Sequence, residues 1–535
     1  MSAQDADAGW TRDRSAAGAR NPWVIAAVVS IATFMEVLDT SIANVALLHI
    51  AGSLATSVDE STWVLTSYLV ANAAILPVSG WLSDVVGRKR FYMTCVALFT
   101  ASSLACGLAP NLAWLIVARV FQCLGGGGLA PSEQSMLADT FPPSKRGQAF
   151  AIYGMTVIVA PTLGPTFGGY ITDNASWHWI FFINVPVGLM SLALVHLLVS
   201  EPRTLIRERA MRLRRGLHID WLGFALFGLA FGSLEIFLDK GQEDDWFSSG
   251  AIVTCAAIAA LSFAVLIPWE LTRSDPVVDV GLLGRRRFGT SWFVMLTIGM
   301  VLFSSTQLVP QLLQQSYGYT AELAGLALAP GGFAALATMG LAGRLSGFVQ
   351  PRTMMAVAMA IVAVAMYHFT SLTPDVGFAW FASARAYQMV GIPMLFLPIT
   401  SYSYVGLPPD RSSHASALIN VARNLGGSIG VSMTQTLLAR REQFHQARLD
   451  AHVLPSSLAY QQTLQQAQDY FAAHGAAAAA HGKALAWIGQ EIGQQAAYLS
   501  YIDVFAAIAA LALVMIPIAF TLGRVPLGGR PIAAH

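Results

Sequence analysis

The chain predicts an all-α polytopic membrane protein whose fourteen transmembrane helices are arranged 6 + 2 + 6, on three observations: a shortage of charge, fourteen apolar stretches and an internal repeat. Of its 535 residues 55% are hydrophobic and only 11% charged, where a soluble domain carries about 25% charged. Such a chain has lipid for its solvent. A bilayer offers backbone amides no partners, so each crossing segment is a helix of about 20 mostly apolar residues.

The stretches run Trp23 to Ala46, Thr62 to Trp81, Phe91 to Ala109, Leu112 to Met136, Ala149 to Ile171, Trp179 to Val199 and Trp221 to Leu238. The other seven are Ala251 to Trp269, Phe288 to Leu312, Ala321 to Leu345, Met354 to Thr370, Phe378 to Thr400, Ala415 to Leu438 and Tyr501 to Leu522. The polar lead from Met1 to Asn21 opens onto an apolar run too long for a signal-peptide core, so the first stretch is expected to be retained. Of 31 Lys and Arg residues, 23 fall in the tails and in loops after even-numbered stretches, among them Arg88-Lys89-Arg90, Lys145-Arg146, Arg212 to Arg215 and Arg285-Arg286-Arg287. Five fall in the opposite loops, and Arg119, Arg385 and Arg423 lie within spans. Positive charge stays inside, so both termini are expected in the cytoplasm.

The repeat sets the arrangement. Arg119-x-Phe121-Gln122-x-x-Gly125 in span 4 returns as Arg385-x-Tyr387-Gln388-x-x-Gly391 in span 12, an offset of 266 residues. The same offset carries Pro142-Pro143 onto Pro408-Pro409, Lys145 onto Arg411, Ala149 onto Ala415 and Gly164 onto Gly430. Because span 4 maps to span 12, two spans are inserted between two six-helix halves. The expected units are a tail (1–22), a first bundle (23–200), a basic linker with two inserted helices (201–275), a second bundle (285–522) holding a long periplasmic loop (440–500), and a tail (523–535). The inserted pair reads as a lipid-facing linker, its interior holding few charges.

Several motifs carry more than packing. Gly80-x-Leu82-x-Asp84-x-x-Gly87-Arg88-Lys89 sits in a short turn, where Gly80 permits close helix approach and Gly87 a tight bend. Gly164-Pro165-x-x-Gly168-Gly169 in span 5 combines a kink with small faces one turn apart. Span 1 holds Leu38-Asp39-Thr40-Ser41-Ile42-Ala43-Asn44-Val45-Ala46, and Trp177-His178-Trp179-Ile180-Phe181-Phe182-Ile183-Asn184-Val185-Pro186 leads into span 6. Together these resemble the fourteen-span drug:proton antiporter family of the major facilitator superfamily, with Leu47-Leu48 where that family has a proline and His178 where it has arginine.

The resemblance covers nearly the whole chain. It implies a major-facilitator fold and a secondary transporter, not an enzyme. It also implies that Gly80, Asp84, Gly87 and Arg88 form a conformational latch and that Gly164, Pro165, Gly168 and Gly169 are the antiporter motif. Asp245-Trp246-Phe247-Ser248-Ser249 and Leu312-Leu313-Gln314-Gln315-x-Tyr317-Gly318-Tyr319-Thr320 are similar to the inner-membrane pumps of three-part multidrug efflux systems. A periplasmic membrane-fusion adaptor and an outer-membrane channel follow as expected partners, beside small hydrophobic substrates and protons. Uptake of a metabolite by the same fold is the alternative, with a membrane receptor or intramembrane hydrolase as a reading from another class. The second-half counterpart of the latch, Gly340-Leu341-Ala342-Gly343-Arg344, has arginine in place of an acid and carries no latch role.

Intramembrane charge marks the candidate site. At 1.5 Å per residue, Asp39 lies about 24 Å from the cytoplasmic start of span 1 and Arg119 about 10 Å below the outer end of span 4, which brings both to one level of a ~30 Å core. Glu36 lies one turn deeper on the face of Asp39. Asp39, Glu36 and Arg119 are therefore the expected proton-coupling groups. Asn44, Gln122, Gln307, Gln311, Arg385, Tyr387, Gln388, Asn420 and Arg423 are the polar groups expected to line the cavity, while Glu133, Glu235, Glu270, His368 and His414 fall at solvated span edges.

Other chemistries are excluded. Gly426-Gly427-Ser428-Ile429-Gly430 satisfies a hydrolase pattern but has no preceding strand and no histidine at matching depth, so it reads as small-residue packing. Gly125-Gly126-Gly127-Gly128 has no GK[ST] after it, and no nucleotide-binding domain exists to supply ATP drive. Cys95, Cys106, Cys123 and Cys255 show no metal or disulfide spacing and read as core residues, so no metal or other cofactor is expected. A net charge of +1 points to no nucleic-acid partner.

Overall fold

The computed structural model describes residues 21–142, 145–201, 206, 209–211, 220–273, 276–404, 407, 411–476 and 479–523. Residues 1–20 and 524–535 of the tails, the basic run Arg212 to Arg215, and Pro143, Pro408 and Pro409 of the repeat lie outside the described residues. Among those described there are helices and no strands. The first half holds α1 (Pro22–Val45), α2 (Leu47–Ser53), α3 (Val58–Val86), α4 (Arg88–Gly107), α5 (Leu112–Gly126), α6 (Leu129–Thr140), α7 (Arg146–Asn174), α8 (Trp179–Phe182) and α9 (Asn184–Leu198). Then come α10 (Trp221–Lys240) and α11 (Gly250–Thr272). The second half holds α12 (Arg286–Gln315), α13 (Ala321–Leu345), α14 (Pro351–His368), α15 (Phe378–Ser403), α16 (Ser412–His452), α17 (Leu458–Phe471) and α18 (Ala480–Ala519).

Each predicted stretch falls largely within helix, and among the described residues ten helices are long and apolar enough to cross a membrane, eleven if the pair Arg146–Pro161 and Leu163–Asn174, bent by 41°, counts as one span. The bend has a chemical cause. Pro165 has no N–H to give the Pro161 carbonyl, and the Ser41 hydroxyl of α1 donates to that carbonyl instead at 3.0 Å. Gly164 and Gly168 admit α1 at this level: a Cβ on Gly164 would meet Ser41 Oγ at 2.2 Å, and one on Gly168 would meet Ile42 at 3.2 Å.

Glycine also sets the contacts around the predicted site. The run Gly125 to Gly128 breaks span 4 into α5 and α6, and a Cβ on Gly125 would lie 2.6 Å from the Phe99 amide nitrogen. On Gly126 it would lie 2.6 Å from the Tyr68 hydroxyl and 3.1 Å from Glu36 Cγ. The run thus brings α1, α3 and α4 against one helix. In the second half, Gly426 packs on the Leu296 backbone and Gly430 on Met300, so the hydrolase-like pattern is a helix crossing.

The two halves meet along α7 and α13, where Gly147 faces Ser346, Gly154 faces Met339 and Gly325 faces Thr166. The inserted pair departs from the linker reading. Helix α11 is mostly exposed, with Cys255 half-exposed rather than in the core, but α10 docks against α3 and reaches α16. The 440–500 segment continues the bundle outward: α16 runs to His452, past the predicted end of span 13 at Leu438, and α18 begins at Ala480, with α17 packed on it. Asp503 ties the two extensions, accepting from Arg441 at 2.5 Å and lying 2.7 Å from His445 Nε2.

Candidate functional site

Asp39 and Arg119 meet in the first half, both almost wholly enclosed. Arg119 donates to Asp39 Oδ2 at 2.5 Å and to Gln122 Oε1 at 2.7 Å. The other carboxylate oxygen accepts from Gln122 at 3.0 Å and from Asn184 at 2.6 Å. Gln122 also donates to Ser103 at 2.7 Å. The guanidinium lies 4.3 Å from the Tyr68 ring centroid, and its Nε donates to the Val64 carbonyl at 3.2 Å. One guanidinium nitrogen, Nη2, has no hydrogen-bond partner among the described residues. Glu36 sits below the pair, accepting from the Tyr68 hydroxyl at 3.1 Å. One aromatic ring thereby touches both the cation and the second acid.

This arrangement can hold one charge pair in the dry interior, where a lone carboxylate would cost several kcal/mol. Separation of the pair would leave an acid that gains from taking a proton. Ser103, Tyr68 and Asn184 are parts of the site that sequence reasoning missed. Asn184 stood inside the run from Trp177 to Pro186, and its amide in an apolar stretch was the available signal.

The repeat reproduces the second half of this site without its acid. Arg385 donates to Gln388 at 2.8 Å and to Thr306 at 3.2 Å, and Gln388 donates to Ser305 at 2.6 Å. Ser305 is 266 residues beyond Asp39, so a hydroxyl stands where the first half has a carboxylate. Among the described residues no ion pair forms at Arg385. Tyr387, like its counterpart Phe121, is exposed and lies two positions from Arg385, on another face of the helix.

The remaining expected cavity groups divide. Asn420 donates to Gln134 at 2.9 Å and accepts from Tyr153 at 3.0 Å, and Arg423 donates to the Tyr153 hydroxyl at 2.6 Å. These bonds run between the halves. Gln311 accepts from Gln435 at 2.7 Å within the second half, while Asn44 and Gln307 are exposed and stand apart from the buried cluster. Four span-edge assignments are corrected. Glu133, Glu235, Glu270 and His414 are all buried, because neighbouring helices cover positions that counting from a span end places at the surface. Glu133 accepts from Ser30, and Glu270 from the Val278 amide at 3.2 Å.

At the basic end the residues expected to form a latch bond across the halves. Asp84 accepts from Ser413 at 2.7 Å and lies 3.7 Å from His414, both on α16. Arg88 donates to Ser412 at 3.0 Å and also meets Asp139. Gly80 is required there, since a Cβ would meet the Ser413 carbonyl oxygen at 2.8 Å, and Gly87 turns the chain at φ +100°. Hydrogen bonds to charged groups contribute about 1.5–3 kcal/mol each. Asp84→Ala is therefore expected to raise the open-to-closed ratio at this end roughly tenfold or more, read as a longer distance between spin labels on α3 and α16. An unchanged distance distribution would remove Asp84 from the latch.

Comparison with known proteins fits this geometry. Residues 29–431 match the family model for the Major Facilitator Superfamily. The chain is 39% identical over 494 residues, 92% of its length and 94% of the relative's, to "Multidrug export protein EmrB" of Escherichia coli (strain K12). It is 36% identical over 504 residues to "Fatty acid resistance protein FarB" of Neisseria gonorrhoeae, covering 94% of this chain and 96% of that one. Among solved structures the proton:xylose symporter XylE shares the fold at a TM-score of 0.60 and 14% identity, over 94% of this chain and 96% of that one. The family match and these relatives make the chain a multi-pass membrane transporter rather than an enzyme. The chain belongs to the major facilitator superfamily.

Proposed function

We propose that the protein is a proton-coupled antiporter that exports hydrophobic, drug-like or toxic compounds, with Asp39 as the proton carrier tuned by Arg119 and Glu36. The observation that carries this reading is the Asp39–Arg119 pair: an acid and a cation enclosed together, with a second acid beside them and no acid in the repeat-equivalent position. When Arg119 is close, Asp39 is held as the carboxylate. When a rearrangement draws Arg119 away, the same acid favours a proton. A cationic substrate group can replace the proton there, which gives exchange. The relatives named for multidrug export support the export direction.

In this reading the chain spans the inner membrane fourteen times, 6 + 2 + 6, with both termini cytoplasmic and the unit boundaries given above. Closure at the basic end then corresponds to a state sealed toward the cytoplasm. The 440–500 extension meets a periplasmic membrane-fusion adaptor of the EmrA kind, and an outer-membrane channel completes a three-part system. Transport in everted vesicles under an imposed pH gradient, with a panel of uncouplers, dyes and antibiotics, tests the reading. Accumulation that collapses with the gradient is expected, whereas accumulation driven by ATP in the absence of a proton gradient would overturn it.

A further inference from the structure

Helix α10 is bonded to both halves. Thr66 of α3 donates to Asp239 at 2.5 Å, and Lys240 bonds to Thr62, so the outer end of α10 is fixed to the first half. One turn before Asp239, Glu235 bonds to Ser428 of α16 at 2.7 Å, across the seam to the second half. Glu235 is 5% exposed and lies about 21 Å along a helix from Trp221, inside a ~30 Å core.

Among the described residues no cation pairs with this carboxyl. On its own helix the neighbouring charges are Asp239, engaged by Thr66, and Lys240, which also binds Glu243 at 2.5 Å. On α3 the charged groups, Asp59, Glu60 and Asp84, stand toward the two ends. On α16 the nearest charge in sequence, Arg423, donates to Tyr153, and on α11 Glu270 lies at the far end beside Val278. A carboxylate enclosed with no cation costs several kcal/mol, so the closed seam favours the carboxylic acid. The Ser428 hydroxyl, which donates to Glu235 at 2.7 Å and lies 3.3 Å from the Asn424 carbonyl, brings no charge to this carboxyl.

We infer that Glu235 is a second proton-coupling site, loaded while α10 bridges the halves and emptied when their rocking parts it from Ser428. The inference rests on the proton-coupled reading and adds a site remote from Asp39. Separation of the halves stretches the Glu235–Ser428 bond, since α10 is held on the first half at Thr66 and Thr62. Water entering the parted seam solvates the carboxylate, and the proton leaves. Re-closure requires the acid again, so each cycle carries a proton through α10 as well as through Asp39.

The test is thermodynamic. In proteoliposomes with the membrane potential clamped at zero and a pH difference of one unit, each coupled proton multiplies the limiting gradient of a neutral drug by about ten, one pH unit being about 1.4 kcal/mol. Glu235→Gln keeps the shape and a hydrogen bond but carries no proton, so its limiting gradient is expected to fall about tenfold below wild type. Glu235→Asp is expected to restore it. If Gln does not yield folded protein, the Asp and Asn pair makes the same comparison one methylene shorter. A limiting gradient equal to wild type in Glu235→Gln, reached slowly or quickly, would overturn the inference, as would an equal loss in Gln and Asp. A wild-type protein that builds no gradient from the pH difference overturns the proton-coupled reading itself, a different result from a wild-type gradient with no loss in Gln.

Discussion

Asp39→Asn is expected to abolish accumulation of drug against a gradient while leaving drug-for-drug exchange measurable. The geometry explains both halves of that result. Asp39 is surrounded by donors, with Arg119 on one oxygen and Gln122 and Asn184 on the other. An asparagine keeps one acceptor and turns an NH₂ group toward a donor, so at least one hydrogen bond is lost. It also takes from Arg119 its directly bonded acid, leaving only Glu36 nearby, and breaking such a pair costs about 3–5 kcal/mol of stability.

Exchange separates coupling from structure. It needs the halves to rock with drug bound but needs no net proton movement, so a carrier that has lost only its proton group still exchanges. A purely structural pair predicts loss of folded protein and of exchange together. Normal accumulation by Asp39→Asn with ordinary dependence on the pH gradient would remove Asp39 from the mechanism and make Glu36 the residue to test.

Depth arithmetic explains why the pair was legible in the sequence. Residue counts along two helices place Asp39 and Arg119 at one level, and burying isolated charge in lipid is costly enough that neighbouring opposite charges meet. The same arithmetic misread Glu235 and Glu133, because a count from a span end gives depth but not what lies alongside. Cover depends on which helices pack together. That in turn depended on glycines whose role shows only in three dimensions: Gly126 admits Glu36 and Tyr68, and Gly80 admits the start of α16. The offset of 266 marked Arg385 and Gln388 as the counterparts of Arg119 and Gln122, which share a bonding pattern, yet the docking of α10 has no repeat counterpart and no periodic signal. Hydropathy likewise marked where lipid contact stops near Leu438, while α16 continues as a polar helix to His452.

That polar continuation leads to the second large expected effect, on deletion of Leu454 to Gly482. The segment holds α17, the helical turn Ala472–Ala476 and the first residues of α18, and its exposed side chains include Leu454, Leu458 and Tyr470. Apolar groups scattered singly are ordinary on a solvated helix, so the expected adaptor contact rests on how far α16 and α18 carry the chain beyond the predicted spans. Ala477 and Ala478 of its alanine-rich stretch lie outside the described residues. Deletion leaves the tie between the remaining extensions intact, because Arg441, His445 and Asp503 all lie outside it. The membrane bundle is therefore expected to fold and to accumulate drug in everted vesicles at close to the wild-type rate. Co-purification with the membrane-fusion adaptor is expected to vanish, and drug resistance of intact cells to fall to that of cells lacking the pump, since drug released into the periplasm diffuses back. Unchanged co-purification with the adaptor would show that the contact lies elsewhere on the outer surface. Loss of vesicle transport together with the adaptor would show instead that α17 is a structural clamp on α16 and α18.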